Sequence, residues 1–117
     1  MEGCLFCKIA KKEIPSTVVY EDDRALAFRD INPVAPTHVL VIPRVHVSTI
    51  NDVLPEHEAD MGHLLLVAAE VARLEGLTER GYRAVMNCGA EAGQSVFHVH
   101  LHVVGGRPLG WPPFQKA

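Results

Sequence analysis

Apolar residues recur along this chain with two distinct periods. Between Pro55 and Gly76, the residues Met61, Leu64, Leu65, Ala68, Val71, Ala72 and Leu74 fall at three- and four-residue steps. That spacing predicts one long amphipathic helix, with Pro55 suited to its first turn and Gly76 to its end. Val96 to Val104 alternates with period two, and Tyr82 to Cys88 does so around Ala84, Val85 and Met86. Both read as strands. Val39-Leu40-Val41-Ile42, bounded by Pro43, is a continuous apolar run and predicts a central strand. Val18-Val19-Tyr20 and Ala25 to Phe28 flank the polar cluster Glu21 to Arg24, the pattern of a hairpin. Leu5, Phe6, Ile9 and Ala10 predict a short helix over 4–11, closed by Pro15. Asp30 to Thr37, with its prolines, and Gly89 to Gly93, with its small residues, read as loops.

In order, these elements predict an α+β fold: an antiparallel sheet of about five strands with one long and one short helix. The 117 residues predict a single domain over 1–117, ending in an irregular tail from about 106 that carries Trp111-Pro112-Pro113. There is no internal repeat. A net charge of −3 argues against nucleic acid as a partner, which would call for a basic face. No apolar run approaches the roughly 18 residues of a membrane span. Met1-Glu2-Gly3-Cys4 lacks the basic start and apolar stretch of a signal peptide, so a cytoplasmic protein is expected. In such a reducing compartment the pair Cys4-x-x-Cys7 suggests metal binding or redox chemistry, not a structural disulfide. Cys88 reads as a small packed hydrophobe.

Candidate chemistry concentrates in His98-Val99-His100-Leu101-His102. Residues two apart on a strand share a face, roughly 6.5–7 Å from one another. The three imidazoles therefore line one face, while Val99, Leu101 and Val103 are free to pack beneath the long helix. Three in a row are too far apart to close easily on one ion, whose Zn–N bonds are about 2.0–2.1 Å. A nucleophilic imidazole must be neutral, with one nitrogen bare and the other donating to a fixed acceptor. His100, in the middle with a polar neighbour on each side, is the candidate nucleophile. His102 is placed to donate to a phosphate oxygen or a leaving group. The preceding loop, Gly89 to Ser95, offers backbone amides to an anion, with Ser95, Gln94 and Asn87 as side-chain donors.

These residues resemble the histidine-triad family. Its signature of alternating histidines closed by two apolar residues stands here as His98-Val99-His100-Leu101-His102-Val103-Val104. Further stretches resemble its nucleotide-binding branch, the purine nucleoside phosphoramidases: Glu21 to Ile31, Ala35 to Pro43, and Gly105 to Pro113. Within that pattern Arg29 stands where a histidine is common, and Asn32 where animal members carry serine. The resemblance implies a covalent nucleotidyl intermediate on His100. It also implies that Asp30 meets the ribose hydroxyls and that Phe28, Arg29, Ile31 and Leu40 line the base and sugar pocket. Asn87, Gly93, Ser95 and His102 would hold the phosphate, and His38 would buttress the triad. A homodimer is implied as well, its tail placing Trp111 at the partner's site. Cys4-x-x-Cys7 resembles a zinc-binding microbial subset, with His46 and His98 completing a structural Cys₂His₂ zinc site. No organic cofactor is expected. The expected reaction is hydrolysis of a nucleoside phosphoramidate or acyl adenylate to a purine nucleoside monophosphate. The rival readings are a dinucleoside polyphosphate hydrolase or nucleotidyl transferase, a nucleotide-binding regulatory module with slight turnover, and a zinc-dependent structural protein.

Overall fold

A computed structural model of the chain describes residues 3–114; the ends of the expected single domain, 1, 2 and 115–117, lie outside the described residues. Five strands form one antiparallel sheet: β1 (Val18–Glu21), β2 (Ala25–Arg29), β3 (Thr37–Pro43), β4 (Tyr82–Val85) and β5 (Leu101–Gly105). Their spatial order is β1-β2-β3-β5-β4. The long helix α2 (Glu58–Leu74) packs on β3, β2 and β5, and the short helix is α1 (Leu5–Ala10). The α+β expectation holds in class, strand number and helix number.

The two central strands explain the continuous apolar run at 39–42. Alternate residues of β2 and β3 enter different cores. Ala25, Ala27, Val39 and Val41 face α2, where they meet Leu64, Val67, Ala68 and Val71, together with Leu101 and Val103. Leu26, Phe28, Leu40 and Ile42 join Phe6, Ile9 and Ala10 of α1 in the second core. A strand buried on both faces has no polar side to show, so alternation disappears from its sequence.

The α2 helix ends as its glycine indicates. Gly76 adopts φ +72°, and the Leu77 and Gly76 amides close onto the carbonyls of Ala72 and Arg73 at 2.8 and 3.2 Å. Its start differs slightly, since Pro55–His57 form a 3-10 turn before the helix proper. Of the periodic apolar residues, Leu65 and Leu74 prove exposed, and Val67 takes a core position instead. The short helix, Leu5–Ala10, falls within the expected 4–11 and ends well before Pro15. It stops through the same closure, with Lys12 at φ +63° and the Glu13 and Lys12 amides reaching Lys8 and Ile9 at 2.9 and 3.0 Å.

The largest departure lies in the histidine segment. The ladder begins only at Leu101, paired with Val41, and residues 96–100 run outside it. The partner strand ends at Pro43, which has no amide to donate. The Pro43 carbonyl is taken by the His98 ring at 2.8 Å. Val99 is buried, but its amide bonds to the carbonyl of Val47 at 2.7 Å, and only Leu101 and Val103 reach the α2 core. At the other end of β5, Gly106 holds φ +97°, and a Cβ there would lie 2.8 Å from Cβ of Pro36. That close approach, with Arg107 Nη2 donating to the Val34 carbonyl at 3.0 Å, presses the 30–37 loop against the sheet.

Leu64 is almost fully buried where α2 meets the sheet. Leu64→Ala is expected to cost about 2–5 kcal/mol, the range for a buried leucine leaving a cavity. Urea denaturation would measure it, and a loss under 1 kcal/mol would contradict this packing.

Candidate active site

One cavity, about 680 Å³, opens beside the histidines. His100 and His102 line it, with Phe28, Arg29, Asp30, Ile31, Leu40 and Ser95. Helix α1 supplies a further wall through Leu5, Phe6 and Ile9. The sequence reading gave that wall no role; its signal was the apolar spacing of Leu5, Phe6 and Ile9 within a helix too short to form a core by itself. Asn87, Gly93, Gln94 and Trp111 do not line this cavity.

Backbone acceptors order the protons of the site. A carbonyl can only accept, so His100 Nδ1 donates to the His98 carbonyl at 2.8 Å. In the neutral ring Nε2 is then bare, as a nucleophile requires. The acceptor that selects this tautomer is backbone, not the flanking imidazoles. Burial pushes the His100 pKa below its ordinary value, against the opposing pull of the His98 carbonyl and of Asp30. His102 is ordered from the other side. The Val34 amide donates to His38 Nδ1 at 3.2 Å, which leaves the His38 proton on Nε2. That nitrogen lies 2.9 Å from His102 Nδ1 and donates to it, so His102 carries its own proton on Nε2. His38 is buried, and its Nε2 also lies 3.4 Å from Asp30 Oδ2. Thus His100 presents a lone pair and His102 a proton, with ring centroids 4.9 Å apart.

Other expected residues are engaged elsewhere. Gln94 does not offer its amide to the pocket. Its Oε1 accepts from the Gly89 amide at 2.9 Å, and its Nε2 donates to the carbonyls of Ser48 and Val96 at 2.8 and 3.1 Å. Every polar atom of this buried side chain is spent on shaping the loop, which corrects the expectation of a phosphate donor. Arg29 is held at the cavity rim by Glu75, with paired contacts of 2.8 and 3.0 Å. Ile31 stands 91% exposed at the mouth. Trp111 is 82% exposed, with Arg83 5.9 Å over its ring, away from this chain's cavity.

Among the described residues, two clusters have donor atoms close enough for a metal ion: Cys4, Cys7, His46 and His98, and separately Asp30, His38 and His102. Proton order distinguishes them. His98 spends Nε2–H on Pro43, so its bare Nδ1 faces the two thiols, 3.4 Å from Cys4 Sγ and 3.5 Å from Cys7 Sγ. His46 likewise turns Nδ1 to Cys7 Sγ at 3.4 Å and Nε2 to the Ser48 hydroxyl at 3.1 Å. This set fits a tetrahedral site with all four positions filled by protein. In the second cluster a metal on His38 Nε2 would move the proton to Nδ1, against the Val34 amide. That set is built for a proton, not a cation.

A HIT domain is matched over residues 11–109. The purine nucleoside phosphoramidase of Escherichia coli (strain K12) is 52% identical over 109 residues, covering 93% of this chain and 92% of that protein. The solved HIT family hydrolase of Legionella pneumophila Philadelphia 1 superposes with TM-score 0.93 at 54% identity, covering 96% of this chain and all of that one. A HIT family hydrolase from Clostridium thermocellum gives 0.91 at 45% identity, over 94% and 96% of the two chains. The chain belongs to the HIT domain family. As in the HIT signature, His98, His100 and His102 alternate, yet of these three only His102 lies within a sheet strand.

Burial, with His100 and His38 adjacent, holds the His102 pKa down, from 6.5 to about 4, against the pull of Asp30. Protonation of Nδ1 would break the His38 contact and undo the proton order. Activity, as kcat/KM, is therefore expected to stay level from pH 8 down to 6.5 and to fall below that, as His100, held below its ordinary value, and then His102 take up protons. The matching stability contribution is present above the unfolded value of 6.5 and is lost as pH drops from there toward about 4. A pH–rate profile with its acid limb at 6.5 or higher would contradict the assignment.

Proposed function

We propose that this HIT protein hydrolyses nucleoside phosphoramidates, and related acyl adenylates, to a purine nucleoside monophosphate through a nucleotidyl-histidine on His100. The observation that carries the reading is the His100 tautomer, with Nδ1–H on the His98 carbonyl and a bare Nε2 at a largely apolar cavity sized for a nucleotide. The likeness to a purine nucleoside phosphoramidase supports it.

In the first step His100 Nε2 attacks phosphorus and the P–N bond breaks. The amine leaves with the bonding pair and takes its proton from solvent, while the Nε2–H of His102 donates a hydrogen bond to the reacting phosphate group. Ser95, at the cavity wall, donates to a phosphate oxygen as charge builds there. Phe28, Leu40 and Ile31 cover the base, Asp30 takes the ribose hydroxyls, and Arg29 borders the sugar. Water then displaces His100 from phosphorus and gives a proton to solvent, His100 leaves with Nε2 bare again, and the monophosphate departs. Splitting the displacement in two is the gain of covalent catalysis.

Cys4, Cys7, His46 and His98 hold zinc in this reading, a structural ion that draws both thiols into the thiolate form. Burial, with Cys4 beside it, raises the Cys7 thiol pKa in the absence of a cation, so the cluster gains most from one. The protein works as a homodimer in the cytoplasm. Exposed Leu65 and Leu66 on α2 suit a self-association face, and the exposed Trp111 suits a contact with the partner's site.

His100→Ala is expected to lower turnover of adenosine 5′-phosphoramidate by at least a thousandfold while still binding AMP. Rapid quench and mass spectrometry should find the adenylyl group on His100 in the parent. Full activity in the variant, or faster turnover of dinucleoside polyphosphates than of phosphoramidates, would reject the reading. Elemental analysis of untagged protein should give one zinc per chain, and none in a Cys4→Ser, Cys7→Ser double variant. A parent without zinc after growth in zinc-supplemented medium would reject the metal site.

A further inference from the structure

The Cys4–Cys7 pair lies on α1, and α1 is also a wall of the nucleotide cavity. A helix of six residues does not hold its shape or position by hydrogen bonding alone. At its C-terminal end the Ala10 carbonyl accepts from Arg44 Nη1 at 2.9 Å. At its N-terminal end Cys4 and Cys7, three residues apart and so on one side, meet His98 and His46. Between these cysteines sits Phe6. Its ring meets His100 edge to face at 5.0 Å and 87°, Phe28 at 5.4 Å and His98 at 6.1 Å.

We infer that Cys4 and Cys7 are positioning residues for the nucleophile: by fastening α1 to His98 they hold Phe6 against His100 and close the α1 wall of the nucleotide cavity. Two routes run from the thiols to the reacting nitrogen. One passes through the His98 ring, which is pinned between the thiols and Pro43, to the His98 carbonyl that accepts from His100. The other passes along α1 to Phe6, which screens one side of the His100 imidazole from water. Released at its cysteine end, α1 would pivot about the Arg44 anchor. Leu5 and Phe6, nearest the freed end, would move most, and Ile9 least. A nucleotide would then meet a looser wall, and the His100 ring would exchange more readily between tautomers. The four-residue cluster thus serves the catalytic pocket as well as stability. This role rests on His100 being the nucleophile, but its first readout does not need turnover.

The experiment compares the zinc-loaded parent, the Cys4→Ser, Cys7→Ser variant and a Phe6→Leu variant that retains the thiols. Imidazole ¹⁵N shifts report the His100 tautomer, and calorimetry reports AMP and UMP affinity. The parent should show one Nδ1–H tautomer at His100. The double variant should show a mixture, bind AMP at least tenfold more weakly, and lose most of its preference for AMP over UMP. Chelation should reproduce these changes in the parent, and added zinc should reverse them there but not in the double variant. Phe6→Leu should weaken AMP binding severalfold with zinc still bound, which keeps the test open if the double variant fails to fold. A folded double variant with parental tautomer and AMP affinity within twofold would overturn the inference. So would a Phe6→Leu variant with unchanged tautomer and affinity. Failure of the phosphoramidase reading would show separately, as a parent that binds AMP and keeps its tautomer but does not turn over phosphoramidate.

Discussion

The hydrogen bond from the His98 ring to the Pro43 carbonyl lies where three structural demands meet. Pro43 ends the central strand because it has no amide to continue the ladder. Its carbonyl, left over at that end and buried, needs a donor. The His98 ring supplies one, and in doing so surrenders its Nε2 proton to the backbone. Its Nδ1 lone pair then faces Cys4 and Cys7, while its own carbonyl faces His100. One contact thereby ends a strand, prepares a ligand for a soft cation and sets the acceptor that bares the nucleophile.

His100 and His102, the proposed catalytic pair, are organised from opposite sides by backbone groups of different segments. His100 is ordered by a carbonyl two residues before it, and His102 by an amide at Val34 acting through His38. Neither needs a buried carboxylate to fix its proton. Asp30 stays at the cavity wall, its Oδ1 accepting from the Asn32 amide at 2.8 Å and its other oxygen near His38. Burial of the imidazoles keeps them neutral, and the ordered donors decide which nitrogen is which. The hydrogen bond that orders His100 goes to a backbone carbonyl and not to a carboxylate.

The sheet provides the rigidity this arrangement requires. Strands β2 and β3 are packed on both faces, with α2 on one side and α1 on the other. Their outermost neighbours, β1 and β4, carry partly exposed side chains instead. The cavity lies on the α1 side, so the α2 core backs β5 through Leu101 and Val103 while the α1 layer shapes the opening. A helix of six residues thus borders the cavity.

The sequence by itself determined the periodic features. Pro55 and Gly76 bounded the long helix, the double-sided burial of 39–42 showed as an unbroken apolar run, and the alternating histidines marked the site. These are legible because period and punctuation are local properties of a chain. Tertiary structure decided the rest. It stopped β5 at Leu101 because the ladder's partner ends at Pro43, which no pattern within 96–104 records. It turned Gln94 inward because the Gly89, Ser48 and Val96 backbone groups needed partners that only folding brings near. It made α1 a pocket wall, since its apolar face could as well have served a core alone. Above all it assigned the protons. Which nitrogen of an imidazole is bare depends on carbonyls and amides supplied by distant segments, and a list of side chains carries no information about them.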